Sequence, residues 1–138
     1  MTIEQQRFEW HLRLGTLVDS IDSWATDSGW STRRIEKSMH DSLIGDSIAP
    51  ALLMQRETCR VLLEPITHSA LEADGVVDIY RMPAYDDIAT LVFDRGGWAI
   101  RPADADSVIG NSVVEPLPLS KERFAAVLQD MIQHAAAP

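Results

Sequence analysis

The stretch IATLVFDRGGWAI, residues 88–100, has two apolar arms on either side of the tetrapeptide DRGG. Asp94, Gly96 and Gly97 are residue types found in tight β-hairpin turns, and the glycines supply positions of positive φ. Strands joined by so short a turn must be antiparallel, because parallel neighbours need a crossover of a dozen or more residues. This stretch therefore predicts an antiparallel sheet.

A second hairpin is predicted upstream of this stretch. Residues 49–55 and 59–65 are apolar runs separated by only three residues. Pro50 and Pro65 are expected to stop the paired strands from extending at either end. Both alternating residue sets of this hairpin are apolar, which is typical of strands buried on both faces.

The remaining strand signals are uneven. Residues 75–83 predict a strand that ends at Pro83. Residues 30–39 predict another strand, but their pattern of apolar residues is weaker. Residues 102–118 predict mainly a loop, with one short strand at residues 111–115.

Amphipathic helices are predicted at both ends of the chain. Gly29 follows the last periodic residue of the first helix and is expected to end it. Ser120 is expected to cap the last helix, with Leu119 and Phe124 as a hydrophobic staple. The apolar stripe of the first helix contains Trp10, Leu14, Leu17, Val18, Ile21 and Trp24.

The order of these elements predicts one α+β domain over residues 1–138. An antiparallel sheet of about five or six strands has the N-terminal and C-terminal helices packed on one face. The other face must be covered either by the loop at residues 102–118 or by another chain. A protein partner or self-association as a homodimer is therefore expected at the uncovered face.

Composition restricts the function. The net charge of −9, from 12 basic and 21 acidic residues, opposes binding to anionic nucleic acids. Cys59 is the sole cysteine, so an intramolecular disulfide is excluded. No secretory signal is present, and the apolar runs are shorter than the roughly 20 residues that span a membrane. We predict a cytoplasmic protein that binds neither nucleic acid nor membrane.

Five aspartates lie within residues 74–98. Turn chemistry explains Asp74 and Asp94. The other three are weak candidates for catalysis or for a divalent metal, because Mg²⁺ takes carboxylate ligands, and Glu64 is a further possible ligand. The alternative is that they occupy loops and the solvated face of the sheet, with no metal bound. These candidates are Asp78, Asp86 and Asp87.

Four aromatic residues outside the helical stripes and two arginines are the candidate binding residues. Trp and Tyr are enriched at protein interfaces, and neighbouring basic residues can hold a phosphate or an acidic partner. Alternatively, the two tryptophans cap the ends of the core and the arginines face solvent. The candidates are Trp30, Tyr80, Tyr85, Trp98, Arg33 and Arg34.

Size, acidity and the absence of a catalytic motif favour a non-enzymatic protein-binding module without a cofactor. In size, charge and element order it is comparable to immunity- or chaperone-type proteins. The alternative hypothesis is an enzyme, because clustered aspartates would suit a metal-dependent hydrolase. A third hypothesis is a small-ligand pocket between helices and sheet, lined by Trp10, Trp24 and Trp98.

Overall fold

The computed structural model describes residues 2–68, 74–103 and 116–136, with side chains as far as Gln133. Consecutive strands are neighbours in one seven-stranded sheet, and each pair is antiparallel. The described elements are α1 (Ile3–Asp27), β1 (Ser31–Asp41), β2 (Gly45–Arg56), β3 (Cys59–Thr67), β4 (Val76–Arg81), β5 (Asp86–Asp94), β6 (Gly97–Pro102), β7 (Leu117–Pro118) and α2 (Lys121–Ala136).

Both ends of helix α1 are capped. The Thr2 hydroxyl accepts a hydrogen bond from the Gln5 amide at 3.1 Å, and the Gln5 side chain accepts one from the Thr2 amide at 2.9 Å. At the other end Gly29 has a φ of 87°, and the Trp30 amide donates to the Ala25 carbonyl at 2.9 Å. This C-terminal motif satisfies carbonyls of the last turn and confirms the predicted role of Gly29.

Helix α2 begins as predicted. The Ser120 hydroxyl accepts a hydrogen bond from the Arg123 amide at 3.1 Å, as an N-cap does. Phe124 is buried and Leu119 packs against the core. Neither helix in the described residues is long and apolar enough to cross a membrane.

The hairpin between β5 and β6 has the predicted tight turn, and this turn has two central residues. Asp94 pairs with Gly97, and the two central residues, Arg95 and Gly96, have φ values of 54° and 81°. Positive φ at both central positions matches the twist of the flanking strands. The prediction that Gly97 has a positive φ was wrong. Gly97 already belongs to β6, and Arg95 has the positive φ instead.

Strand β2 runs through Pro50, contrary to the prediction that this proline limits the strand. Pro50 pairs with Glu36 of β1, whereas the ladder from β2 to β3 stops at Leu52. Since proline has no N–H to donate, it is tolerated where one side of a strand has no ladder. Pro65 likewise lies inside β3, at the irregularity of the β3–β4 ladder between Pro65 and Thr67.

The described sheet has slightly more strands than the five or six expected. The additional strand, β7, has only two residues and pairs with Ala99 and Ile100 of β6. So short a strand has no periodicity by which a sequence could reveal it. The strand predicted at residues 111–115 lies outside the described residues.

Both helices pack on the same face of the sheet, which confirms the predicted α+β fold. The rings of Trp24 on α1 and Phe124 on α2 lie 6.2 Å apart, so the two helices meet above the sheet. The sheet side of this core is no more than 2% exposed and consists of Leu52, Met54, Val61, Leu63, Val77, Ile79, Ala89, Leu91 and Ile100.

Candidate functional site on the second face of the sheet

The sheet face that points away from both helices is called the second face. Residues paired directly across antiparallel strands point to the same side, and alternate residues of a strand share a face. The β4–β5 ladder has a register irregularity between Ile79 and Tyr80, so this alternation is interrupted in β5 between Asp87 and Ala89. The register therefore identifies its side chains. They include Arg33, Lys37, Ala51, Leu53, Leu62, Glu64, Asp78, Tyr80, Asp87, Thr90 and Arg101.

One cross-strand row of the second face spans five strands. The successive pairs are Arg33 with Leu53, Leu53 with Leu62, Leu62 with Tyr80, and Tyr80 with Asp87. Arg33 and Asp87 are exposed, Leu53 and Tyr80 are half-buried, and Leu62 is 7% exposed. Neither terminal charge forms an ion pair with another described residue. We call this arrangement of an apolar centre between opposite charges the Arg33–Asp87 row.

A lysine crosses the second face next to this row. Lys37 of β1 extends over β2 to β3, where its Nζ lies 2.7 Å from Glu64 and donates to the Pro65 carbonyl at 2.9 Å. Ala49 and Ala51 of the intervening strand are almost fully buried. Their small side chains leave room for the aliphatic part of the lysine, which covers apolar surface while its ammonium reaches a partner.

Asp78 is the centre of a hydrogen-bond cluster on the second face. The Tyr80 hydroxyl and the Thr90 hydroxyl each donate to its carboxylate at 2.9 Å. Burial of the phenol, and then its bond to the Asp78 carboxylate, raise the pKa of Tyr80. Asp78 therefore acts as an acceptor held within the sheet rather than as a free carboxylate.

An exposed aromatic side chain borders this cluster. Tyr85 lies in the turn between β4 and β5, after a cis peptide bond between Met82 and Pro83, and has a φ of 59°. The residue is 55% exposed, and its ring meets the Tyr80 ring edge-on, with centroids 5.6 Å apart. The turn thus adds an accessible aromatic surface to the end of the Arg33–Asp87 row.

The predicted binding residues divide into two groups. The structure brings Arg33, Tyr80 and Tyr85 to the second face, whereas Trp30 is 4% exposed and belongs to the core. Trp98 is half-buried against the same core. Arg34 points to the helix side.

Arg34 binds helix α1. Its guanidinium lies 2.8 Å from Asp19 and 3.1 Å from Asp22, and these two carboxylates raise the pKa of Arg34. Since Arg33 lies on the opposite face, the two neighbouring arginines do not form one basic patch.

The three candidate metal ligands are not gathered at one point. Both oxygens of Asp78 are engaged by hydroxyls, while Asp86 and Asp87 are exposed at the start of β5. Glu64 pairs with Asp78 across the strands but is bonded to Lys37. Among the described residues, no three His, Cys, Asp or Glu side chains are placed to hold a metal ion.

A second polar cluster, which the sequence analysis missed, ties the β1–β2 turn to the end of β3. Asp41 accepts hydrogen bonds from the Leu43 and Ile44 amides at 2.7 and 3.2 Å, and its other oxygen lies 3.1 Å from His68 Nδ1 and 3.3 Å from the Thr67 hydroxyl. Burial acts to raise the pKa of Asp41, but the bonds from His68 and the two amides lower it to about 2. The position of Asp41 at the start of a turn could have been recognised from the sequence, because aspartate is common there. The contact with His68 could not, because it joins residues that are distant in the sequence.

A cleft of about 750 Å³ lies between α2 and the β4–β6 part of the sheet. Arg81, Arg123 and Asp130 line it together with the predicted site residues Asp86 and Asp87, and Ile100 and Met131 are among its apolar lining residues. The three tryptophans predicted to line a ligand pocket do not line it, and Trp10 is 1% exposed within the core.

Comparisons with protein-family models, with curated proteins and with solved structures give no match to this chain. The geometry of the second face is therefore the basis for a functional assignment.

Proposed function

We propose that this chain is a protein-binding module and that the second face is its binding surface. The observation that carries the proposal is the Arg33–Asp87 row, in which leucines and a tyrosine lie between two exposed charges of opposite sign. Protein interfaces combine an apolar, aromatic centre with a polar rim. Tyr85, an exposed aromatic residue, extends this centre.

The state of the neighbouring polar groups supports the same proposal. Glu64 is neutralised by Lys37, and Asp78 accepts two hydroxyl hydrogen bonds. Burying a polar group that already has its hydrogen bonds costs much less than burying an unpaired one. A partner can therefore cover this part of the face without providing a bond for each buried charge.

Site-specific photocrosslinking tests the proposal. A benzophenone amino acid in place of Tyr85 is expected to give protein adducts in cells that express the chain. Phe8 on α1 is 69% exposed and provides the matched control position on the helix side, where no adduct of the same mass is expected.

A second variant tests whether the adduct depends on the Arg33–Asp87 row. Leu53→Glu places a charge among the apolar side chains of the second face, and in the Tyr85 background it is expected to abolish the adduct. Circular dichroism must show that this variant is folded. The proposal fails if Tyr85 gives no adduct, or if a folded Leu53→Glu chain gives the same adduct.

A further inference from the structure

The two ends of the Arg33–Asp87 row are complementary to each other. Arg33 on β1 and Asp87 on β5 are exposed charges of opposite sign, and Leu62 on β3 lies between them, two strands from each. Strands are about 4.8 Å apart, so each charge lies roughly 10 Å from Leu62 across the sheet. The row is therefore symmetric in distance and opposite in charge about its centre.

We propose that the partner of the second face is a second copy of this chain. The two copies face each other across a two-fold axis that runs parallel to β3, between the two sheets and over Leu62. This inference rests on the proposed function, because it names the partner of the same surface. The rotation places Arg33 of each copy over Asp87 of the other and Leu53 over Tyr80, with the two Leu62 side chains at the axis. One self-complementary patch thus supplies two ion pairs around an apolar centre, as a two-fold interface requires.

A further row lies on each side of the Arg33–Asp87 row. The row with Arg60, which pairs with Gln55, brings the exposed arginines of the two copies toward the axis, whereas the row with Glu64 is compatible with this arrangement. The axis brings Glu64 over Glu64 of the second copy, but each glutamate is 2.7 Å from Lys37 of its own chain. Asp78 comes over Ala51 of the second copy, and both its oxygens already accept hydrogen bonds. This row therefore adds no unpaired charge at the interface.

The size of the patch predicts a reversible dimer. Five strands across and about five residues along each strand give roughly 20 by 20 Å, or about 400 Å² per copy. A stable complex of standard size buries about 800 Å² per partner. Association is therefore expected at micromolar or higher concentrations.

Sedimentation velocity on charge-reversal variants tests the pairing. The wild-type chain is expected to dimerise between about 5 and about 500 µM. Arg33→Asp and Asp87→Arg, each measured alone, are expected to weaken dimerisation at least about tenfold, because each creates two like-charge contacts. An equimolar mixture is expected to form a heterodimer within about threefold of wild-type affinity.

The mixture is the decisive measurement. The aspartate introduced at position 33 of the first variant meets the arginine introduced at position 87 of the second. The unchanged Asp87 of the first variant meets the unchanged Arg33 of the second, so both ion pairs return. Matched controls are Arg95→Asp and Asp94→Arg at the exposed β5–β6 turn, where the side chains are 93% and 53% exposed. They change the net charge by the same amounts and, at 0.1 M salt, are expected to change dimerisation by no more than about twofold, because salt screens most of the repulsion between the copies.

Three results would overturn the inference: a wild-type chain that stays monomeric throughout this range, folded single variants that dimerise like wild type, or a mixture that does not associate. A monomeric wild type whose Tyr85 photocrosslinks to a different protein refutes the second copy as partner and leaves the proposed function standing. A monomer that gives no adduct refutes both. Thermal unfolding of each variant shows that lost association is not lost folding.

Discussion

Replacing Asp41 with asparagine should destabilise the fold in a strongly pH-dependent way. The Asp41 side chain is 9% exposed, and its pKa falls from the ordinary 3.8 to about 2. At about 1.4 kcal/mol for each pKa unit, this difference corresponds to about 2 kcal/mol of stability. Asparagine keeps one oxygen for the Leu43 and Ile44 amides, but it presents an amide donor where the Thr67 hydroxyl and His68 approach the second oxygen.

The direction of this pH dependence follows from the lowered pKa of Asp41. A carboxylate that is more acidic in the folded state stabilises the fold above about pH 4, and this contribution disappears as the pH falls toward 2. Urea denaturation should give wild type about 2 kcal/mol more stability than Asp41→Asn at pH 7, and the gap should close as the pH falls from about 5 to about 2.

The matched control is Asp46→Asn on the same hairpin. Asp46 also contacts a histidine, His40, but the two side chains are 87% and 80% exposed. A solvent-exposed pair contributes little, so no resolvable change is expected. A loss below about 0.5 kcal/mol for Asp41→Asn at pH 7, or an equal loss for Asp46→Asn, would refute the reasoning.

Four further substitutions test local features of the fold. Gly75→Ala places a Cβ 2.8 Å from Cζ3 of the buried Trp10 ring and is expected to cost about 1–3 kcal/mol in urea denaturation. Arg95→Asn suits the positive φ of the β5–β6 turn and should raise the free energy of unfolding by about 0.5–1 kcal/mol. The chain has two tyrosines, so absorbance titrations of Tyr85→Phe and Tyr80→Phe each follow one phenol. The pKa of Tyr80 is raised, so its phenolate should form above the ordinary range of a tyrosine, and a Tyr80 midpoint within that range would contradict this.

Local signals were sufficient for the elements that depend on local chemistry. The stripe of α1 and the DRGG turn could be read directly, because a helix face and a two-residue turn are determined by neighbouring residues. Strand β2 was harder. Whether Pro50 ends a strand depends on which of its two neighbours pairs there, and β2 pairs with β1 at this point but not with β3. That choice is made by tertiary contacts.

The candidate site was only partly accessible to the same reasoning. Alternation places Asp78 and Tyr80 on one face, as the register confirms. The relation between Arg33 and Asp87 could not be predicted, because it comes from four successive strand pairings. A shift of one residue in any of them would move one end of the row to the helix side.

The net charge gives the proposed dimer an unusual salt dependence. Two copies of charge −9 with centres roughly 30 Å apart repel by about 4 kcal/mol at 10 mM salt and by about 0.6 kcal/mol at 0.1 M, where the screening length is about 10 Å. Each exposed Arg33–Asp87 pair contributes only about 0.2–1 kcal/mol, and salt weakens it. The loss of repulsion is the larger effect, so dimerisation should strengthen between 10 mM and 0.1 M salt although ion pairs direct it. Sedimentation at the two salt concentrations measures the change, and a dimer that weakens steadily with added salt would show that charge pairing dominates its free energy.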